Sequence, residues 1–182
     1  SHSSAVMDFE AAPDKIVVGS VDLDEDGTDE LVWQNEADRV ISYWTMGPNG
    51  QPTTFTPFPT QLESEMWELI GVGDFNADGR ADLLWQDVAD NSLTVWYLDE
   101  NLEVASVGLV TSDAPESFSS LVAGVADYDN DGIADILWQV GFNTYQLWFM
   151  QQDAASGELS IRENATPSLD VDDFDLWRVR GG

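Results

Sequence analysis

The 182 residues contain no cysteine. That excludes disulfides, structural zinc thiolates and a thiol nucleophile, and leaves the redox compartment open. Positive charge is scarce: six Lys and Arg stand against 35 Asp and Glu, a formal charge of −29. Nucleic acid and anionic membranes are poor partners for such a chain, because both need positive charge. Cations and neutral ligands remain. Histidine occurs once, as His2 in Ser1–Ser4, a segment that reads as a tag scar. Without cysteine or an internal histidine the usual nucleophile–base pairs are missing, and no enzyme is expected. No apolar run approaches the ~20 residues of a membrane span, so membrane insertion is not expected. No stretch reads as a signal peptide, and any secretion signal is expected to lie outside this sequence.

What the chain does have is a repeated acidic stretch. Gly71–Gln86 reads GVGDFNADGRADLLWQ, Gly19–Gln34 reads GSVDLDEDGTDELVWQ and Gly124–Gln139 reads GVADYDNDGIADILWQ. The first aspartates, Asp22, Asp74 and Asp127, lie about 52 residues apart, and a fixed period of this size marks a repeat architecture. Oxygen-bearing side chains alternate in each stretch, and a glycine lets the backbone curl so that they face one point. Hard oxygens gathered in this way suit calcium, which takes six to eight of them at about 2.3–2.6 Å.

The loops are not EF-hands. Those end on a bidentate Glu at position twelve between helices, whereas position twelve here is Trp33, Trp85 or Trp138. The carboxylate comes instead at position nine. The candidate sets are Asp22, Asp24, Asp26 and Glu30; Asp74, Asn76, Asp78 and Asp82; and Asp127, Asp129, Asp131 and Asp135. Position seven is Thr28, Arg80 or Ile133, with no common side chain, the pattern expected where a backbone carbonyl is the ligand. The competing reading is three solvated acidic turns. Against it, eleven carboxylates in three small loops repel one another without a cation. The second set carries only three carboxylates, so at equal geometry it is expected to bind calcium more weakly than the third.

Strand-like runs flank the loops, with almost no helix signal. The first repeat offers Lys15–Gly19, Leu31–Gln34, Val40–Met46 and Thr53–Phe58, the last with Pro57 suited to an edge. The second offers Met66–Gly71, Leu83–Gln86, Leu93–Leu98 and Leu102–Val110. The third offers Ser119–Gly124, Ile136–Gln139, Tyr145–Met150 and Leu159–Glu163. Ser4–Glu10 adds a short segment of mixed character, and Leu176–Gly181 restarts the pattern as a lone first strand. Residues 1–14 thus precede a repeat domain, 15–181, divided near 15–62, 63–115, 116–170 and a partial fourth unit, 171–181. A fourth acidic loop is expected just past Gly182. The run Leu83–Trp85 is apolar on both faces, as for a sheet packed between two others. The expected fold is all-β: three tandem four-stranded blades of the β-propeller type, plus the first strand of a fourth. A β-trefoil is the alternative, since three four-stranded units close naturally there.

DFNADGRADLLWQ resembles the FG-GAP or VCBS repeat of bacterial surface and secreted proteins, and its loop is similar to that of integrin alpha-chain propellers. The resemblance covers about Lys15–Gly181 and implies blades whose acidic loop joins the first two strands. It also implies an extracellular or cell-surface location. Two departures stand out. Family propellers commonly hold about seven repeats, and three are too few to close a ring. Glu30 stands where the family usually has Asp.

Two tryptophan series recur, Trp33, Trp85 and Trp138, and Trp44, Trp96 and Trp148. Core packing between blades is the plain reading. Stacking on sugars, as in certain fungal lectins similar to this family, is the sharper one, although Trp67 and Trp177 also fall at matching first-strand places. Paired carboxylates of a glycosidase find no room, since nearly every clustered acid belongs to a loop and Asp87 and Asp90 read as solvated. The expectation is a calcium-binding scaffold or adhesion module with three Ca²⁺ and a protein or glycan ligand. The alternative is a carbohydrate-binding module, attached in one version to a larger secreted enzyme. Open sheet faces at the ends predict a homodimer, a longer array, or capping by terminal segments.

Overall fold

Each acidic stretch folds as the turn of a hairpin, and each hairpin begins a sheet. The computed structural model describes residues 15–62, 64–111, 120–153 and 155–167. The first sheet runs β1 (Lys15–Val21), β2 (Glu30–Asn35), β3 (Ile41–Met46) and β4 (Pro52–Pro57). The second runs β5 (Trp67–Gly73), β6 (Asp82–Asp87), β7 (Leu93–Leu98) and β8 (Val104–Leu109). The third runs β9 (Leu121–Ala126), β10 (Asp135–Gly141), β11 (Thr144–Gln152) and β12 (Leu159–Ala165). In every sheet the strands pair antiparallel in chain order. Three four-stranded meanders in tandem are what repeated blades require. The expected strands at Ser4–Glu10 and Leu176–Gly181 lie outside the described residues, as does Trp177.

The registers repeat with the sequence. Leu31, Leu83 and Ile136 pair with Trp44, Trp96 and Trp148, bringing the two tryptophan series side by side. Ring centroids lie 6.0, 4.9 and 5.3 Å apart in the three sheets, within the range of favourable aromatic pairs. Each first strand slips register against the second near its middle, and each fourth strand slips against the third. The residue left unpaired in the fourth strand is Thr53, Ala105 or Arg162.

The sheets meet along their first strands, β1 on β5 and β5 on β9. Two apolar clusters fill the gaps outward from that seam. Leu83 and Trp85 point into the cluster shared with the first sheet, while Leu84 points into the one shared with the third. The middle sheet is therefore apolar on both faces, as its sequence implies. On the first sheet's outer face Trp33 is covered within its own sheet, by Phe55 at 5.2 Å and the Lys15 ammonium at 4.1 Å. The seam depends on glycine. A Cβ on Gly71 would sit 2.6 Å from Val125 Cγ2, and one on Gly19 2.8 Å from Val72 Cγ2. Gly71→Ala is expected to destabilise by about 1–3 kcal/mol, because the neighbouring valine is stiff and the sheets must separate. Urea unfolding of the variant measures this, and unchanged stability would show that the seam is not close-packed.

The outer strand of the second sheet begins at Val104, two residues later than its sequence suggests. Leu102 was expected in the outer strand, but it has φ 60° and donates to the Asp99 carbonyl, so it closes a turn. The Asp99 carboxylate accepts from the amides of Asn101 and Glu103 and fixes that turn. Such local side-chain bonds compete with the sheet ladder.

Candidate metal centres

The three loops share one internal design. The first aspartate accepts from the amides at positions five and six. Asp22 takes Asp26 N at 3.2 Å and Gly27 N at 2.9 Å; Asp74 takes Asp78 N at 3.2 Å and Gly79 N at 2.7 Å; Asp127 takes Asp131 N at 3.1 Å and Gly132 N at 2.9 Å. Position five in turn accepts from position seven: Asp26 from Thr28 N, Asp78 from Arg80 N and Asp131 from Ile133 N, at 2.8 to 2.9 Å. Gly27, Gly79 and Gly132 have φ of 86°, 86° and 94°, which only glycine adopts cheaply. Position four is also left-handed, with φ of 59° at Glu25, 58° at Ala77 and 60° at Asn130. No glycine marks that position, so the sequence gives no sign of it. Each such residue costs about 1–2 kcal/mol, and the amide bonds to the first aspartate offset it.

The ninth position is the buried one. Glu30, Asp82 and Asp135 are 1%, 0% and 0% exposed. Each accepts from the amide of the loop's second residue at 2.9 Å: Leu23, Phe75 and Tyr128. In the second and third sheets the other oxygen is engaged as well. Asp82 Oδ1 accepts from Leu98 N at 3.1 Å, and Asp135 Oδ1 from Met150 N at 2.9 Å. Glu30 differs: its Oε1 is buried and has no hydrogen-bond partner. A buried charge-bearing oxygen without a partner is costly and calls for a ligand.

Burial raises the pKa of all three ninth-position acids, and neighbouring loop carboxylates push the same way. For Asp82 burial carries it to about 7, against the lowering effect of the two amide bonds. A raised folded-state pKa means that the folded chain holds a proton which the unfolded chain releases. The associated stability is full below the ordinary carboxylate range and is lost as pH rises through about 7. The metal-free protein is therefore expected to melt at progressively lower temperature between about pH 4 and 7. Thermal scans in EDTA across that range check this, and a rising or level profile would contradict a buried Asp82 that holds its proton in the folded chain.

Convergence differs among the loops. Carboxylate oxygens of Asp22, Asp24 and Glu30 lie within 4.8 Å of one another, as do those of Asp127, Asp129 and Asp135. Asp26 and Asp131 stand outside these groups and serve the turn. In the second loop the amide of Asn76 donates to Asp78 Oδ2 at 3.2 Å, and Arg80 Nη2 donates to the same oxygen at 2.9 Å. There Asp74 and Asp82 have no third carboxylate at position three, and Asn76 must supply its amide oxygen. Arg80 is thus both a position-seven residue and an ion-pair partner. In the third loop Arg162, on β12, bonds Asp129 and Asp131 at once. Sequence reasoning missed this residue, which lies 33 and 31 positions from its partners. The second and third loops also touch, since Ala134 N donates to the Asp74 carbonyl at 2.6 Å.

Tandem four-stranded sheets, each with an acidic loop between its first two strands, define an all-β repeat module with blade-like units. Its family follows from comparison: the FG-GAP-like repeat matches residues 22–85 and again 74–138, and the chain belongs to that family. Each match opens on the first aspartate of one loop and closes on the tryptophan that ends the next, so the acidic loop is part of the family's own pattern. No curated protein and no solved structure matches the chain. Among the described residues no helix is long and apolar enough to cross a membrane.

Proposed function

We propose that this chain is a calcium-binding repeat module of a secreted or cell-surface protein, acting as a scaffold or adhesion unit. The observation that carries the reading is Glu30 Oε1, buried without a partner in a residue whose carboxylate converges with those of Asp22 and Asp24. An all-oxygen donor set with an unsatisfied anionic member fits a hard cation of calcium's size. The backbone carbonyls of Thr28, Arg80 and Ile133 complete the donor sets in this reading. Bound calcium would neutralise the acids and fix each inner hairpin. An affinity of about 10⁻⁴ M, that of extracellular calcium modules, is expected. No side-chain constellation of the described site suggests catalysis, and repeats of this family are typically non-catalytic.

The sugar-binding alternative has less support. Trp33, Trp85, Trp138 and Trp148 are 4%, 1%, 0% and 3% exposed, which leaves no ring face for a pyranose. Trp96 and Trp67 pack against the cluster between the first two sheets. Calorimetric titration of calcium into the wild type and Glu30→Gln tests the calcium reading. The glutamine keeps an acceptor for Leu23 N but removes the charge, and one site should weaken by about tenfold or more, the cost of losing a charged contact. Superimposable isotherms would remove the first loop from the reading.

A further inference from the structure

Arg162 stands at the register slip between β11 and β12, a position filled by Thr53 in the first sheet and Ala105 in the second. Only the third sheet therefore sends a cation from this place. Its two terminal nitrogens reach separate carboxylates, Nη1 to Asp131 Oδ2 and Nη2 to Asp129 Oδ2. The ring of Phe149 lies 5.7 Å from the guanidinium carbon and backs it from the strand. Asp129 is one of the three converging carboxylates of that loop. We infer that Arg162 is an internal counter-cation which competes with calcium for the third loop and sets that loop's affinity below that of the first.

This inference rests on the calcium reading and adds an order to it. The first loop presents a free buried oxygen and no arginine, so it fills first. The second has Arg80 on Asp78 alone, through an oxygen it shares with the Asn76 amide. The third offers four carboxylates, one more than the second, yet two of them already share one guanidinium, whose planar fork suits that bridge better than any lysine. Counting acids alone ranks the third loop above the second. The placement of Arg162 reverses that ranking. Arg162 is also exposed, so the calcium-bound state can release it to solvent without burying an unpaired charge.

The loop glycines report each site separately, because Gly27, Gly79 and Gly132 all donate their amides to the first aspartate of their own loop. Their amide resonances can be followed through a calcium titration by ¹H–¹⁵N correlation spectroscopy. In the wild type Gly132 should reach its midpoint at about tenfold higher calcium than Gly27, as expected for displacing charge-assisted bonds. In Arg162→Gln the Gly132 midpoint should fall by about the same factor while Gly27 stays in place. Ala105→Arg provides the converse, and should shift the Gly79 midpoint upward. If Gly27 titrates and Gly132 has the same midpoint in wild type and Arg162→Gln, the role of Arg162 is overturned and the calcium reading stands. If no glycine resonance moves in any of the proteins, both fail together.

Discussion

In about 10 mM calcium the protein is expected to melt some 10–20 °C above its melting point in EDTA. A ligand that binds only the folded state stabilises it by about 2.7 kcal/mol per site at 100 times its dissociation constant. The first and second loops, free of Arg162, would supply two such sites and about 5 kcal/mol together. For a chain of this size each kcal/mol moves the melting point by about 2–4 °C. The sum is comparable with the ~5–15 kcal/mol stability of a whole domain. The physical origin is visible in the loops. Buried Glu30, Asp82 and Asp135 anchor the ends of β2, β6 and β10, and each is held away from its favoured charge state by burial. A bound divalent ion would remove that penalty. Magnesium should give only a small part of the effect, because it prefers a tight octahedral shell and keeps its water. Equal melting points in EDTA, magnesium and calcium would refute structural calcium.

Trp85→Ala is the second large effect, with an expected loss of about 3–5 kcal/mol. Trp85 is 1% exposed, pairs with Trp96 at 4.9 Å and sits in the cluster that joins the first two sheets. Its removal leaves a cavity that the strands on either side, fixed by their ladders, cannot collapse to fill. Trp96→Ala separates core from platform more sharply, because Trp96 is only partly buried. As a core residue it should lower the melting point. As a sugar platform it should leave stability intact and abolish glycan binding. Retained stability in both variants would contradict an interior held by the tryptophan ladder.

The loops and the strands next to them were legible because their information is local. Alternating oxygens, the glycine at position six and the apolar-apolar-Trp-Gln run after position nine lie within sixteen consecutive residues. The inner hairpins and the pairing of the two tryptophan series follow from that period. What escaped was set by distance or by side-chain length. Arg162 meets Asp129 only because β12 folds back beside β11 and slips register there. Glu30 is visible in the sequence as a departure from the family's Asp, and its extra methylene changes which amides it reaches. Asp82 and Asp135 engage Leu98 and Met150, whereas Glu30 leaves Oε1 unpartnered. The left-handed residues at position four are Glu, Ala and Asn, which share no property a sequence could display. The apolar side chain of Leu102 suits a strand, but the nearby Asp99 carboxylate fixes the backbone as a turn.

The central claim is that these acidic loops are cation sites and not merely turns that their own amides satisfy. Native mass spectrometry of the intact chain, sprayed from millimolar calcium and separately from millimolar magnesium, counts the bound ions directly. A calcium-loaded species with three ions is expected as the end point, two of them retained at lower calcium, with no matching plateau in magnesium. A featureless ladder of adducts, the same for both metals, would contradict it.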